Sequence, residues 1–563
     1  MKNDRWEFSK YRSGEMINGI ERSAHRALLY STGMDKEDLK KPLIAVVNSY
    51  TEMVPGHIHL KEIAEFVKQG VAEAGGLPRE FNTIALCDGL CQGHVGMSYP
   101  LPSRELIADS IEMMVEGHRL DGMVMLPGCD KIVPGMLMAA ARLNIPAILL
   151  PSGPMIAGNY KDIRDITLSS MRELIGRTQV GRMTEDDLME AEMASLPGYG
   201  TCSMMGTANS MSCLAEVLGM ALPGAGTALA VSAEKRRLAK QSGRRAVALV
   251  EENLNARAIL NRQTLLNGIA ATMAMGASTN TVLHLMAIAN EAKAELTLDD
   301  FDVISRRVPY ICNIKPSGEY PLSAFHESGG VQAVLKAIAD DLDLNCLTVT
   351  GKTVGENLAK TELADNEVIY ARSRPKDPEG GIAVLFGNLA PLGAVVKKSG
   401  VKASMHYFEG RARVFHSMED ASAAVSSDSI KTGDVIVISY EGPKGGPGMR
   451  EMHMTTSLLV GRGMDESCAL ITDGRFSGST RGPCIGHISP EAAAGGPIAA
   501  VQDGDRITID IPNRRLTIDL SDEEIAGRLA AVVHIHKPRT PSLAKYAALV
   551  TSADMGAVME LPK

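Results

Sequence analysis

Three segments place a metal-ligating side chain beside a second reactive group. They are Cys87-Asp88-Gly89, Cys129-Asp130-Lys131, and the glycine-rich stretch PGYGTCSMMGTANSM, which carries Cys202. Asp88 and Asp130 are candidates for Mg²⁺, a hard cation that takes one or two carboxylates and fills its shell with water and substrate oxygens. The plainer role for each is to cap a turn or a helix. The plainer role for each cysteine is that of a small buried hydrophobe. Local spacing is not that of a ferredoxin: no C-x₂-C occurs, and Cys87 and Cys91 have three residues between them. An iron–sulfur centre here has to be assembled from separate loops. Lys131 beside Asp130 reads as an ion-pair partner. The alternative is a lysine kept neutral in a dry site, which adds CO₂ and offers a carbamate oxygen to a metal.

Two further segments lie in the second half. YEGPKGGPGMREM (440–452) is a glycine-rich loop with Glu451 near its end, and it is no Walker loop because G-K-[ST] does not follow. Gly351-Lys352-Thr353 imitates the end of one, but Cys346 stands where the first Walker glycine belongs. ITDGRFSGSTRG puts Ser477 between Phe476 and Gly478, after an apolar run. That serine is either an exposed reactive hydroxyl or a turn residue. Arg475 breaks the G-x-S-x-G elbow of the hydrolases.

The elements that must position these residues follow from periodicity. PLIAVVNSY (42–50) and FNTIALCDG (81–89) read as buried strands, with a helix between them. A helix over 103–118 with Ser103 as N-cap, a strand over 121–128, a helix over 136–144 and a strand over 146–153 continue the βαβ rhythm. The expectation is a doubly wound α/β domain over 1–370, with helical segments from about 155 to 300. In such a sheet, ligands collect at the carboxyl ends of the strands. After the charged, proline-rich linker RSRPKDPEGG (372–381), short β runs joined by glycines dominate. A hairpin is expected on both sides of Pro512-Asn513 and a helix over 521–532. Residues 371–563 therefore read as a β-rich, barrel-like domain.

Bulk properties narrow the function. A chain of 563 residues exceeds what one core supports, roughly 250–300 residues, so at least two domains are expected. A formal net charge of −9 argues against nucleic acid as partner. No run of about 18 apolar residues occurs, so no membrane span is expected. The N-terminal residues lack the apolar core of a signal peptide, and nine cysteines without one suggest reduced thiols and a cytoplasmic location.

Long motifs in one order, NTIALCDG, LPSRELIADSIE, GCDKIVPGMLMAAARLNIP, GTCSMMGTANSM, YEGPKGGPGMREM and ITDGRFSGST among them, make the chain resemble the dihydroxy-acid dehydratases, within the group that includes the 6-phosphogluconate and sugar-acid dehydratases. The resemblance implies an N-terminal α/β domain and a C-terminal β-barrel in a homodimer or dimer of dimers. It implies Cys129 and Cys202 as ligands of an iron–sulfur cluster, and Asp88, Asp130 and Glu451 as Mg²⁺ ligands. Lys131 corresponds to a lysine that is carbamylated in related enzymes, and Ser477 to the catalytic base. The implied reaction dehydrates a small-molecule dihydroxy acid to a 2-keto acid, in valine and isoleucine synthesis. A sugar acid such as 6-phosphogluconate or an aldonate is the alternative substrate.

The chain departs from the family in three places. Many members carry a third cluster cysteine where TEMVPGHIHL here has Gly56 and His57. The VPGH form resembles the branch with an oxygen-labile [4Fe–4S] cluster, which is favoured over [2Fe–2S]. His57, His59 or Cys91 are the candidates for a third ligand, and Cys87 reads as a packing residue. Leu392 stands where an acidic residue is common, and HIHKPRTPSLAKYA departs from the usual tail. Cys213, Cys312, Cys346, Cys468 and Cys484 read as structural thiols. Two other classes compete: a non-catalytic iron–sulfur sensor, and a Mg²⁺-dependent hydrolase without a cluster.

Overall fold

The computed structural model describes residues 4–561 apart from Val180, Asp428, Ser479, His536, Pro538 and Arg539. The N-terminal layer is a four-stranded sheet of β1 (Leu43–Asn48), β2 (Leu77–Asn82), β3 (Gly122–Leu126) and β4 (Ala147–Leu149), in the order β2-β1-β3-β4. Every pairing is parallel, with Leu43 opposite Leu77 and Ile44 opposite Gly122. The residues of β1 and β3 are all buried, as a continuous apolar run between two helical layers requires. The helix Leu60–Glu73 buries Leu60, Ile63, Ala64, Val67 and Val71, one face at three- and four-residue spacing. It packs on the helix Ala233–Glu251, and glycines allow the close approach. A Cβ on Gly70 would lie 2.0 Å from the Lys240 carbonyl oxygen, and one on Gly243 2.2 Å from that of Val67.

Three element boundaries differ from expectation. The second strand ends at Asn82, and residues 83–87 run irregularly to a short helix, Asp88–Cys91. Asn82 pairs with Asn48, where β1 itself ends, so nothing further is available to pair with. The next helix starts at Pro100 rather than after Ser103, because proline at the first helical position forfeits no bond. Ser103 instead donates to the Pro100 carbonyl oxygen (2.6 Å). The helix expected from 136 spans Ile132–Leu143, with Pro134 in its first turn, where the missing N–H is harmless. Cys129, Asp130 and Lys131 thus lie directly at its N-terminus.

A small hairpin, β5 (Gly158–Tyr160) and β6 (Ile163–Ile166), leads into a mostly helical region. The second half closes an eight-stranded barrel. Its strands are β7 (Ala383–Gly387), β8 (Ala390–Val396), β9 (Tyr407–Phe415), β10 (Asp434–Ile438), β11 (Ala469–Thr472), β12 (Cys484–Ser489), β13 (Arg506–Asp510) and β14 (Arg515–Ile518), in the order β10-β11-β12-β8-β7-β14-β13-β9. β13 and β14 form the expected hairpin, with Arg514 at a positive φ in its turn. The helix Asp522–Ala531 starts on a Ser521/Glu524 capping box. Leu392 is on β8 and exposed.

The chain then returns to the N-terminal half. Tyr546 and Val550 pack with Leu101 and Leu283, and the buried Arg104 donates from Nη2 to the carbonyl oxygens of Gly556 (2.9 Å) and Ala557 (2.7 Å). No helix among the described residues is long and apolar enough to cross a membrane.

Candidate active site

Parallel strands deliver both halves of the site. In the N-terminal sheet the strand order reverses between β1 and β3, where a crevice opens at the carboxyl ends. The loop after β1 carries Gly56, His57 and His59, and the loop after β3 carries Cys129, Asp130 and Lys131. In the barrel, β9, β10, β11 and β12 run parallel. Glu451 lies on the loop after β10, and Arg475 and Ser477 lie on the loop after β11. Glu451 and Arg475 pair through a backbone bridge.

These loops bring three carboxylates together. One oxygen each from Asp88, Asp130 and Glu451 lie within 4.8 Å of one another, with Asp88 and Glu451 buried. Lys131 Nζ donates to Asp88 Oδ2 at 2.8 Å and stands 3.8 Å from Asp130 Oδ2. The buried Arg475 spans the site: Nη1 meets Glu451 Oε1 at 2.5 Å and Nη2 meets Asp88 Oδ2 at 3.2 Å. Gln92 Nε2 donates to the other Glu451 oxygen at 2.6 Å, and Arg172 donates to the Gln92 carbonyl oxygen. Burial, then the negative charge of Asp88, pushes the Asp130 carboxyl up to about 7. Asp88 Oδ1 is buried without a hydrogen-bond partner among the described residues. A buried acceptor without a donor, beside a second carboxylate destabilised by like charge, is a donor set that a divalent cation satisfies. The residues present fit Mg²⁺.

The thiols gather on the other side of the β3 loop. Cys129 and Cys87 share a side-chain hydrogen bond, which lowers the Cys87 thiol and, with burial, raises that of Cys129. Burial, with Asp130 and Cys87 nearby, pushes Cys202 up to about 12. Gly56 lies between the two cysteine loops: a Cβ there would stand 3.1 Å from Cys129 Sγ and 3.3 Å from Thr201 Cγ2. Glycine keeps open a cradle flanked by thiols that burial holds protonated, and such thiols ionise when a metal replaces the proton. This donor set fits an iron–sulfur centre.

The expected third ligands fare differently. His57 is fully buried and its Nε2 accepts the Cys129 N–H at 2.9 Å. Its Nδ1 faces Ser49, 2.9 Å from both Oγ and the carbonyl oxygen. His57 therefore orients the Cys129 loop instead of presenting a lone pair to a metal. His59 contacts the Ser152 carbonyl oxygen through Nε2 (3.0 Å) and stacks on Tyr199. Cys87, read as packing, does touch the edge of the core, but it also meets Cys129. The other five cysteines are buried in the cores, as expected.

Ser477 is half-buried in a turn held on both sides. Asn280 Nδ2 donates to the Phe476 carbonyl oxygen (3.0 Å), and Lys397 Nζ to that of Gly478 (2.8 Å). A Cβ on Gly478 would lie 3.1 Å from Gly206 Cα, so the turn presses on the start of the helix Thr207–Val217, just beyond Cys202. Burial brings the Lys397 amine down to about 7. A cavity of about 600 Å³ approaches this region, lined in part by Gly89, Gln92, Arg172, His453, Met454 and Thr480. Sequence reasoning missed Gln92, Asn280, Lys397 and the bridging role of Arg475. Only Arg475 gave a signal, as the residue that spoils a hydrolase elbow.

Comparison with known proteins gives the family. Models of the N-terminal and C-terminal regions of the dihydroxy-acid/6-phosphogluconate dehydratases match residues 41–357 and 367–557. A protein from Halothermothrix orenii named dihydroxy-acid dehydratase is 51% identical over 97% of this chain and 100% of its own length. Proteins of the same name from Thermodesulfovibrio yellowstonii and Methanothermobacter thermautotrophicus are 52% and 50% identical, over 98% and 97% of this chain and the full length of each. Matched across both halves, and along the full length of these relatives, the chain belongs to the dihydroxy-acid/6-phosphogluconate dehydratase family.

Proposed function

We propose that this chain is a hydro-lyase that dehydrates a 2,3-dihydroxy carboxylic acid to the 2-keto acid. The substrates are 2,3-dihydroxyisovalerate and 2,3-dihydroxy-3-methylvalerate, in branched-chain amino-acid synthesis. The observation that carries this reading is the convergence of Asp88, Asp130 and Glu451 with the Cys129 and Cys202 loops beside the Ser477 turn. The names of the full-length relatives support the substrate class. The chain divides near residue 370 into a unit with the thiols and a unit with Glu451 and Ser477, and it works as a homodimer or dimer of dimers.

Asp88, Asp130 and Glu451, with Lys131 as its carbamate, would hold Mg²⁺, and Cys129 and Cys202 would hold the iron–sulfur cluster. When bound, the two groups supply charge stabilisation for the carboxylate and C2 hydroxyl and Lewis acidity toward the C3 hydroxyl. Ser477 Oγ takes the C2 proton. The C3–O bond breaks, its electrons leave with the hydroxide, which becomes water by taking up the proton that Ser477 removed, and the enol tautomerises to the ketone. An ordinary serine is far too weak an acid to be a base at neutral pH, so its alkoxide needs positive potential nearby. Lys397 donates to the Gly478 carbonyl oxygen beside Ser477, and Arg475 donates to Asn280, which holds the Phe476 carbonyl oxygen. Arg475 also fixes Glu451 relative to Asp88, joining the unit that binds the acid to the unit that moves the proton.

The test is turnover of 2,3-dihydroxyisovalerate against a panel of aldonates and 6-phosphogluconate, with anaerobic protein. The expected result is a preference for the branched-chain acid; a preference for aldonates overturns the substrate assignment.

A further inference from the structure

We infer that Cys87 is the third protein ligand of the iron–sulfur centre, completing a three-thiolate set with Cys129 and Cys202. The inference rests on the cluster reading above and adds the residue that the family comparison leaves open. The loop after β1 offers no thiol, since Gly56 occupies the place nearest Cys129 Sγ. Cys87 supplies one, in side-chain contact with Cys129.

His57, the rival donor beside Cys129, is engaged elsewhere through both ring nitrogens, Nε2 on the Cys129 N–H and Nδ1 on Ser49. Its ring also fills the space over Gly128, where a Cβ would stand 2.4 Å from Nε2. His59 is tied to Ser152 and stacked on Tyr199, ring centroids 4.7 Å apart. Cys91 ends the short helix that Asp88 begins, one turn beyond Cys87. Cys87 precedes that helix in extended backbone (φ −100°, ψ 111°), so one peptide segment sends a thiolate to iron and, at the next residue, a carboxylate to Mg²⁺.

On loading, the Cys87 S–H bond breaks, its proton passes to solvent, and a sulfur lone pair forms the Fe–S bond; no electron is transferred. Cys87, Cys129 and Cys202 would together hold the centre through three thiolates.

The experiment compares anaerobically purified wild type, Cys87→Ala, Cys87→Ser and Cys213→Ala by iron and sulfide content and by electron paramagnetic resonance after reduction. Cys87→Ala is expected to lose at least half of its iron and sulfide, and Cys87→Ser to keep a centre with shifted g-values. Cys213→Ala, altered in the same core on the helix Thr207–Val217 but outside the three-thiol set, is expected to match wild type. Cys87→Ala with full iron and sulfide and an unchanged spectrum overturns the assignment while leaving the cluster itself intact. Wild type without iron and sulfide overturns both. Thiol footprinting of wild type covers the case in which Cys87→Ala does not fold. Cys87 should resist alkylation with Cys129 and Cys202 and become reactive with them once iron is chelated; alkylation of Cys87 in the loaded protein contradicts the proposal.

Discussion

The thiol side and the carboxylate side of the pocket are built from different amounts of chain. Cys87, Cys129 and Cys202 all come from the first half: the Cys129 and Cys202 loops meet at Gly56, and Cys87 meets Cys129. The carboxylates come from both halves: Asp88 and Asp130 from the sheet, Glu451 from the barrel, with Arg475 between them. A metal centre of the first kind can be held by one folding unit. A centre of the second kind forms only when two units dock, so acid binding and proton abstraction depend on their fit while thiol ligation does not. Substitutions in the barrel should disable chemistry and spare the cluster.

The largest such effect is expected from Ser477→Ala. Turnover should fall by roughly 10²–10⁴-fold, the usual worth of a positioned base, with iron and sulfide content unchanged. A variant that retains most of its turnover would remove Ser477 from the chemistry. Next is Arg475→Met, which leaves Asp88 and Glu451 buried without their shared cation. Losing one partner of a buried pair costs about 3–5 kcal/mol, so the denaturant midpoint should drop sharply while the isolated thiol signature persists. Equal loss of both sides would show that the halves are not separable. Gln92→Leu removes a neutral hydrogen bond to Glu451 (2.6 Å) and should weaken Mg²⁺ binding by roughly 10–100-fold in calorimetry, as loss of an outer partner of a metal ligand does.

The smallest effect lies on the thiol side and depends on pH. Burial holds the His57 imidazole at about 3, below its ordinary 6.5. Between these values the unfolded ring takes a proton that the folded ring refuses. Its contribution is therefore complete above pH 6.5 and is lost as pH falls below it, by up to about 1.4 kcal/mol per pH unit. His57→Gln should flatten that part of the stability profile in urea titrations from pH 5 to 8; an unchanged slope would assign the acid sensitivity elsewhere.

What could be read from the sequence follows the same division. Apolar runs disclosed β1 and β3, because burial on both faces leaves a local mark, and alternation around a turn disclosed the hairpin of β13 and β14. Asp88, Asp130, Lys131 and Glu451 were nameable because each stands in a long motif. Arg475 was not understood, since its partners Asp88 and Asn280 lie 387 and 195 residues away and a lone arginine in a turn announces neither. Lys397 and Gln92 were silent for the same reason. Cys87 was read as packing because Asp88 beside it already had a task, and it does pack against the core, but its contact with Cys129 left no mark in the sequence. In extended backbone successive side chains diverge, so neighbours in sequence can serve different sides of a pocket.

Arg104 sets an order of events. Its guanidinium is sealed inside the N-terminal half, yet two of its acceptors are the carbonyl oxygens of Gly556 and Ala557, made 452 and 453 residues later. On a nascent chain that cation keeps its water until nearly the whole sequence has been translated. The N-terminal half therefore reaches its final packing late in synthesis, after the barrel has been made.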